Sequence, residues 1–199
     1  MRLLPQFLPR MAIFFILFTC GYAMATSETG VIQAAKQVSN SSVDNFYQVS
    51  DELYRSGQPG APQMKELEQR GVKSILNLRN FHTDNNEAKG TQLKLYHVPM
   101  EAGRLTEPQL ISALRVMKYA PKPMVVHCWH GSDRTGLMVA MYRMVYQGWP
   151  KDAALAELKQ PEFGYHQWAY YNIVQYIDRV DIDSIRAQIN HPDDSHSVK

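Results

Sequence analysis

His127-Cys128-Trp129-His130-Gly131-Ser132-Asp133-Arg134-Thr135-Gly136 is the stretch on which the fold turns. An apolar run, Met124-Val125-Val126, leads into it and a helix-like run, Leu137 to Gln147, leads out. Read as strand, tight loop and helix, it is an anion cradle with a sulfur nucleophile at its base. Successive backbone N–H groups of such a loop can point inward as a nest. The following helix adds its unpaired N–H groups and the positive end of its dipole. Arg134 can offer a planar fork to two oxygens of the anion. Helix N-termini bring a cysteine pKa from about 8.5 to roughly 3.5–7.5, which marks Cys128 as a candidate nucleophile. Gly131 lets the loop turn without a Cβ in the way of the anion.

The spacing from Cys128 to Arg134 is weak by itself; His127, Gly131, Thr135, Gly136 and the strand–loop–helix context make it specific. A metal reading of His127, Cys128 and His130 fails because neighbouring strand residues point to opposite faces and no further cluster completes a ligand set. No metal and no cofactor are expected.

Outward from the cradle, the chain alternates strands and helices. Phe46 to Arg55 is expected to be extended, as a short hairpin, and Gln63 to Arg70 helical, closed by Gly71. Val72–Leu78, Leu93–Val98 and Met124–His127 are expected strands. Thr106 opens a helix to Tyr119, with Gln109 completing a capping box. The cradle helix ends at Gly148; Lys151–Lys159, Tyr165–Val180 and Asp181–Asn190 are further helices. In the second of these, Trp168, Tyr171, Val174 and Ile177 share one face, which reads as core. The fold class is α/β, a mostly parallel sheet flanked by helices, with a helical C-terminal side.

The N-terminus reads differently. Arg2 and Arg10 flank a leucine-rich start, Met11 to Phe18 is uninterruptedly apolar, and Ala23-Met24-Ala25 supplies small residues at a cleavage site. Residues 1–25 are expected to be a secretory signal, which places the protein in the periplasm or outside the cell, or anchored by its N-terminus if uncleaved. Residues 26–45 are expected to be a flexible linker, 46–180 the folded domain, and 181–199 a C-terminal helix with a mobile tail. The whole chain carries 21 Lys+Arg against 19 Asp+Glu; loss of Arg2 and Arg10 leaves 19 of each, so the apparent basicity says nothing about nucleic acid, and no nucleic-acid partner is expected. With Cys20 in the signal, Cys128 is expected to stand alone as a free thiol.

The motif resembles the signature of the cysteine-dependent protein tyrosine and dual-specificity phosphatases. Leu53-Tyr54-Arg55-Ser56-Gly57-Gln58-Pro59 resembles the opening of the small bacterial and fungal dual-specificity-like members, and Ile75-Leu76-Asn77-Leu78-Arg79 one of their core strands. With the expected export signal, the likeness is to a periplasmic bacterial branch, over about Tyr47 to Tyr176. The resemblance implies a cysteine-phosphatase fold, a phosphomonoester substrate on protein or small molecule, no stable membrane insertion after cleavage, and no cofactor. It leaves the oligomeric state open. Cys128 would attack phosphorus to give a phosphocysteine. Arg134 and the loop Trp129, His130, Gly131, Ser132 and Asp133 would hold the phosphate. Thr135 would assist the leaving thiolate or simply cap its helix. His127 would order the loop, as a structural histidine.

The family's general acid is usually an aspartate on the loop after the strand preceding the cradle strand. Here that loop, Pro99 to Thr106, holds no aspartate; Glu101 is its carboxylate, with Asp84, Glu107, Asp133 or water as alternatives. Asp133 is expected to point outward, since an inward carboxylate would repel the anion. The cradle contains no lysine, which suits a singly phosphorylated, aromatic substrate such as phosphotyrosine; phosphoserine and phosphothreonine are further candidates. Arg55, Arg79 and Arg104 can add positive charge from neighbouring loops. The alternative readings are a phosphatase of an inositol, lipid or sugar phosphate, and a phosphate-binding pseudophosphatase.

Overall fold

Four short parallel strands hold the cradle; the two inner ones, Ser74–Asn77 and Met124–His127, are buried throughout because both faces of the sheet are covered there. The computed structural model describes residues 32–190. Its sheet is built from β1 (Lys36–Gln37), β2 (Tyr47–Gln48), β3 (Leu53–Ser56), β4 (Ser74–Asn77), β5 (Lys94–His97) and β6 (Met124–His127), in the order β1-β2-β3-β6-β4-β5. The first three pair antiparallel; β3, β6, β4 and β5 run parallel.

Period-two alternation sorts the side chains. Val126 and Leu76 join the larger core on one face, while Val125 and Ile75 join a smaller one on the other. The smaller core is closed by Met64 and Leu67 of α1 (Ala61–Gln69), which ends at Gly71. The larger is closed by α2 (Glu107–Tyr119), α3 (Asp133–Tyr146), α4 (Lys151–Leu158), α5 (Tyr171–Arg179) and α6 (Ile182–Asn190). The helix α3, entered from the cradle, is buried along nearly its whole length and forms the centre of this helical side. Arg143 on α3 is paired through two nitrogens with buried Glu157 on α4, at 2.8 and 2.6 Å. No helix among the described residues is long and apolar enough to cross a membrane.

Four expectations need correction. The polar stretch expected to be a linker to residue 45 is part of the fold from Lys36: β1 pairs with β2, and Val43 is buried. Backbone pairing needs no apolar side chains, so composition concealed it. The Tyr165–Val180 helix begins at Tyr171; Trp168 lies in the preceding turn, 88% exposed, and the buried face is Ile173, Val174 and Ile177. Thr106 does occupy the N-cap of α2, but its hydroxyl donates to the Gln109 side chain at 2.8 Å and not to the backbone. The fold also continues past residue 180, since Ile185 and Ile189 of α6 enter the larger core. The expected signal, residues 1–25, and the tail after Asn190 lie outside the described residues.

Candidate active site

The parallel strands deliver their carboxyl ends to one place, where open α/β sheets bind ligands. Ser56, His127 and Asn77 are in register there, and Cys128 follows directly. Each carbonyl of the loop is held from outside. The Cys128 oxygen faces His127 Nδ1 at 3.1 Å. Trp129 accepts from the Gln58 N–H at 2.9 Å, His130 from Asn45 Nδ2 at 2.9 Å, and Gly131 from Arg55 Nη2 at 2.6 Å. In a trans peptide plane the next residue's N–H points the opposite way. The N–H groups of Trp129, His130, Gly131 and Ser132 are accordingly turned inward, and none has a partner among the described residues. Gly131 has φ +76°, and a Cβ there would stand 2.5 Å from the Ser56 carbonyl oxygen. Such an array can hold a tetrahedral oxyanion.

Guanidinium groups surround the loop. Arg134 reaches the Met100 and Leu78 carbonyls with Nη1, at 3.3 and 3.4 Å, which leaves its other nitrogens for a ligand. Arg55 is fully buried over the Phe163 ring at 4.1 Å, and burial pulls it down to about 10, against the opposing pull of Glu157 and Cys128. Arg79 stacks on Trp129 at 4.3 Å and donates to Gln58 Oε1 at 2.9 Å. Arg104, expected as a third contributor, lines a separate cleft. Cys128 is a free thiol, 2% exposed. The Thr135 hydroxyl is buried with no partner, and Ser132, not Thr135, takes the N-cap position of α3.

Two aspartates are tied down by partners distant along the chain. Asp84 is buried and accepts from His127 Nε2 at 2.8 Å and Gln58 Nε2 at 2.9 Å. Burial alone would raise its carboxyl, but the His127 bond and charge and the Gln58 bond hold it below the ordinary carboxylate range. A carboxyl kept ionised and committed is a poor proton donor. Asp133 does not point into solvent. It is buried, with its carboxylate on the His166 backbone N–H at 2.9 Å and ring Nδ1 at 3.0 Å. That arrangement turns its charge away from the loop N–H groups and joins α3 to the turn after Phe163. Glu101 is exposed and accepts from Asn80 Nδ2 at 3.0 Å. It sits next to Met100, whose carbonyl accepts from Arg134.

His82, Asp84 and Glu87 each bring one ligand atom within 4.8 Å of the others, a grouping the sequence reading did not anticipate. Both Asp84 oxygens are already bonded, whereas His82 Nε2, 3.2 Å from a Glu87 oxygen, and Glu87 Oε2 are buried without a hydrogen-bond partner among the described residues.

A family model described as "DSP-PTPase phosphatase fused to NAD+ Kinase" matches residues 28–175. The chain belongs to the cysteine-dependent, dual-specificity-like phosphatases. It is 35% identical over 146 residues to the dual specificity protein phosphatase TpbA of Pseudomonas aeruginosa, covering 71% of this chain and 65% of that protein's length. The crystal structure of a cysteine-to-serine variant of P. aeruginosa TpbA in complex with pTyr superposes with a TM-score of 0.71 at 32% identity, covering 82% of this chain and all of that one. The core catalytic domain of the PP-IP phosphatase SIW14 from Saccharomyces cerevisiae, in complex with citrate, gives a TM-score of 0.63 at 30% identity, covering 73% of this chain and 90% of that one.

Within this phosphatase fold, the supports of the loop are what sequence reading missed. Asn45, Gln58, Asp84 and His166 lie far from Cys128 along the chain, and polar residues in polar loops carry no periodic signal. The Leu53–Pro59 likeness did flag Arg55 and Gln58 as a stretch, without assigning either a bond.

Proposed function

We propose that the protein is an exported phosphatase that hydrolyses phosphomonoesters, phosphotyrosine first, through a phosphocysteine intermediate. The observation that carries this is the set of four cradle carbonyls tied outward, which leaves four N–H groups and the Arg134 fork around the Cys128 sulfur. Cys128 Sγ bonds to phosphorus as the ester P–O bond breaks, and the leaving oxygen takes a proton from Glu101. Water then attacks phosphorus and gives its proton to the Glu101 carboxylate, and the S–P bond breaks. The Thr135 hydroxyl, without another partner, donates to the departing thiolate. The N–H array and Arg134 hold the equatorial oxygens throughout.

The aromatic preference rests on Trp129, 58% exposed at the cradle rim with Arg79 against its ring, and on the absence of lysine from the loop. The relatives act, by their names, on protein phosphate esters or on inositol diphosphates, and this rim favours the first. Export rests on residues 1–25; sequencing of the mature N-terminus should find Thr26.

The purified protein, given phosphotyrosine peptide and an inositol polyphosphate in parallel with a chelator present, should turn over the peptide and leave the inositol ester largely intact. Cys128→Ser should abolish turnover, by roughly four to six orders of magnitude for a lost nucleophile. Faster release from the inositol ester would move the substrate assignment, and activity in the serine variant would remove the cysteine from the chemistry.

A further inference from the structure

A second cleft, of about 470 Å³, opens where the Glu101 loop meets α5. Arg104 and Leu105 of the loop line it together with Asn172, Tyr176 and Arg179 of α5 and the acidic residues Glu107 and Asp181. The hydrogen-bonding capacity of these groups is unevenly spent. Glu107 already accepts from Gln188 Nε2 at 2.8 Å. Asp181 accepts the N–H groups of Asp183 and Ser184, both at 3.0 Å, as the cap of α6. Asn172 donates to the Ala102 carbonyl at 2.7 Å and so fastens the loop to α5.

One oxygen of each acid is engaged, whereas the donors, on two exposed arginines and a tyrosine, are wholly uncommitted. The guanidinium groups of Arg104 and Arg179 have no hydrogen-bond or ion-pair partner among the described residues. The Tyr176 hydroxyl is buried and unpartnered. Burial, then the Glu107 charge, pushes this phenol up to about 12, so it stays an O–H donor across the neutral range. A last-turn arginine such as Arg179 also suits the helix dipole. That role requires neither a second uncommitted guanidinium in the same cleft nor an orphan hydroxyl between them. A buried donor left unpaired costs free energy, and two forks with one hydroxyl ask for an anion rich in acceptors.

We propose that this cleft is a second anion subsite, which takes a carboxylate or phosphate group of the substrate while the scissile phosphate occupies the cradle. An anion bridging Arg104 and Arg179 would tie the loop to α5 at a second point beside the Asn172 bond. The same loop carries Glu101, and Met100 within it touches Arg134. Filling the cleft therefore orders the segment that holds the proton donor. The effect on rate rests on the reading of the protein as a phosphatase with Glu101 as acid; binding in the cleft does not.

The test uses two phosphotyrosine peptides that differ in flanking glutamates replaced by glutamines, and a small aryl phosphate with no flanks. Wild type should favour the acidic peptide about fivefold to tenfold in kcat/KM, the scale of one or two partly exposed charge-assisted contacts. Arg104→Ala combined with Arg179→Ala should bring the ratio to about one, and Tyr176→Phe should lower it partway. The double variant should keep the aryl phosphate rate within about twofold of wild type, the effect expected of surface changes outside the cradle. No preference in wild type, a preference that survives in the double variant, or a collapse of its aryl phosphate rate each overturns the proposal. Free succinate added with the neutral peptide separates the sources. Stimulation in wild type that disappears in the double variant assigns the cleft to a free anion in place of a substrate group; no stimulation assigns it to the substrate. Absence of any aryl phosphate turnover by wild type would instead mark failure of the phosphatase reading.

Discussion

The cradle and the Glu101 loop are joined by the Arg134 bond to the Met100 carbonyl but are built on opposite terms. From Trp129 to Gly131 every carbonyl is held by a donor from a distant element, the Cys128 carbonyl faces the neighbouring His127 ring, and Gly131 to Asp133 are buried. From Glu101 to Glu107 most residues are exposed, Gly103 has nothing within 4 Å of where a Cβ would stand, and Glu101 is held by one bond from Asn80. The difference suits the role proposed for each. An oxyanion site works by preorganisation, since donors already aimed cost nothing to reorganise during reaction. A proton donor must meet leaving groups of different shape and exchange its proton with water, which needs access. Rigidity is concentrated in the cradle, and adaptability in the acid loop.

The largest effect that would break this comparison lies in the cradle. Arg134→Lys keeps the charge and loses the fork. It should lower kcat by about 10²–10³, the scale of one removed oxyanion donor, with phosphate binding weakened in step. Wild-type kinetics in this variant would mean that the anion is held elsewhere. In the loop, Glu101→Gln should slow phenyl phosphate by about 10², at the low end for general acids, and leave a nitrophenyl ester nearly unchanged because that leaving group needs no proton. Equal slowing of both esters would assign Glu101 a structural part and pass the proton to another group. The smallest effects compare two glycines. Gly131→Ala forces an alanine to φ +76° against the Ser56 carbonyl, and thermal unfolding should show a loss of about 1–3 kcal/mol. Gly103→Ala should stay within about 0.5 kcal/mol of wild type. Equal losses at both positions would erase the contrast between the two loops.

How much of this could be read from sequence follows the same division. The strand Met124–His127, the loop and α3 are contiguous, so the residues proposed to hold the phosphate were legible together. Their supports were not. His127 was read as structural, and its partner Asp84 lies 43 residues away. Asp133 was read as pointing away from the anion, and nothing local announces that the His166 turn would return 33 residues later to cover it. The stretch before Tyr47 looked like linker from its small polar residues, yet Asn45 sends its amide to the cradle. Trp168 and Tyr171 imitated the spacing of a buried helix face, but the helix begins at Tyr171 and the tryptophan stays outside. The acid loop was legible in a weaker way. Its place was implied by the family, and Glu101 by the lack of an aspartate, but the cleft that the loop forms with α5 depends on tertiary packing alone.

The central claim is that the preorganised loop makes the Cys128 sulfur the atom that carries the phosphoryl group. Acid quenching during turnover of an aryl phosphate, followed by mass spectrometry of the peptide containing Cys128, tests it directly. The account predicts that this peptide gains the mass of one phosphoryl group, that the adduct is absent from Cys128→Ser, and that it accumulates when water attack is slowed by Glu101→Gln. Undiminished turnover with no adduct at Cys128, or a phosphoryl group on another residue, would contradict it.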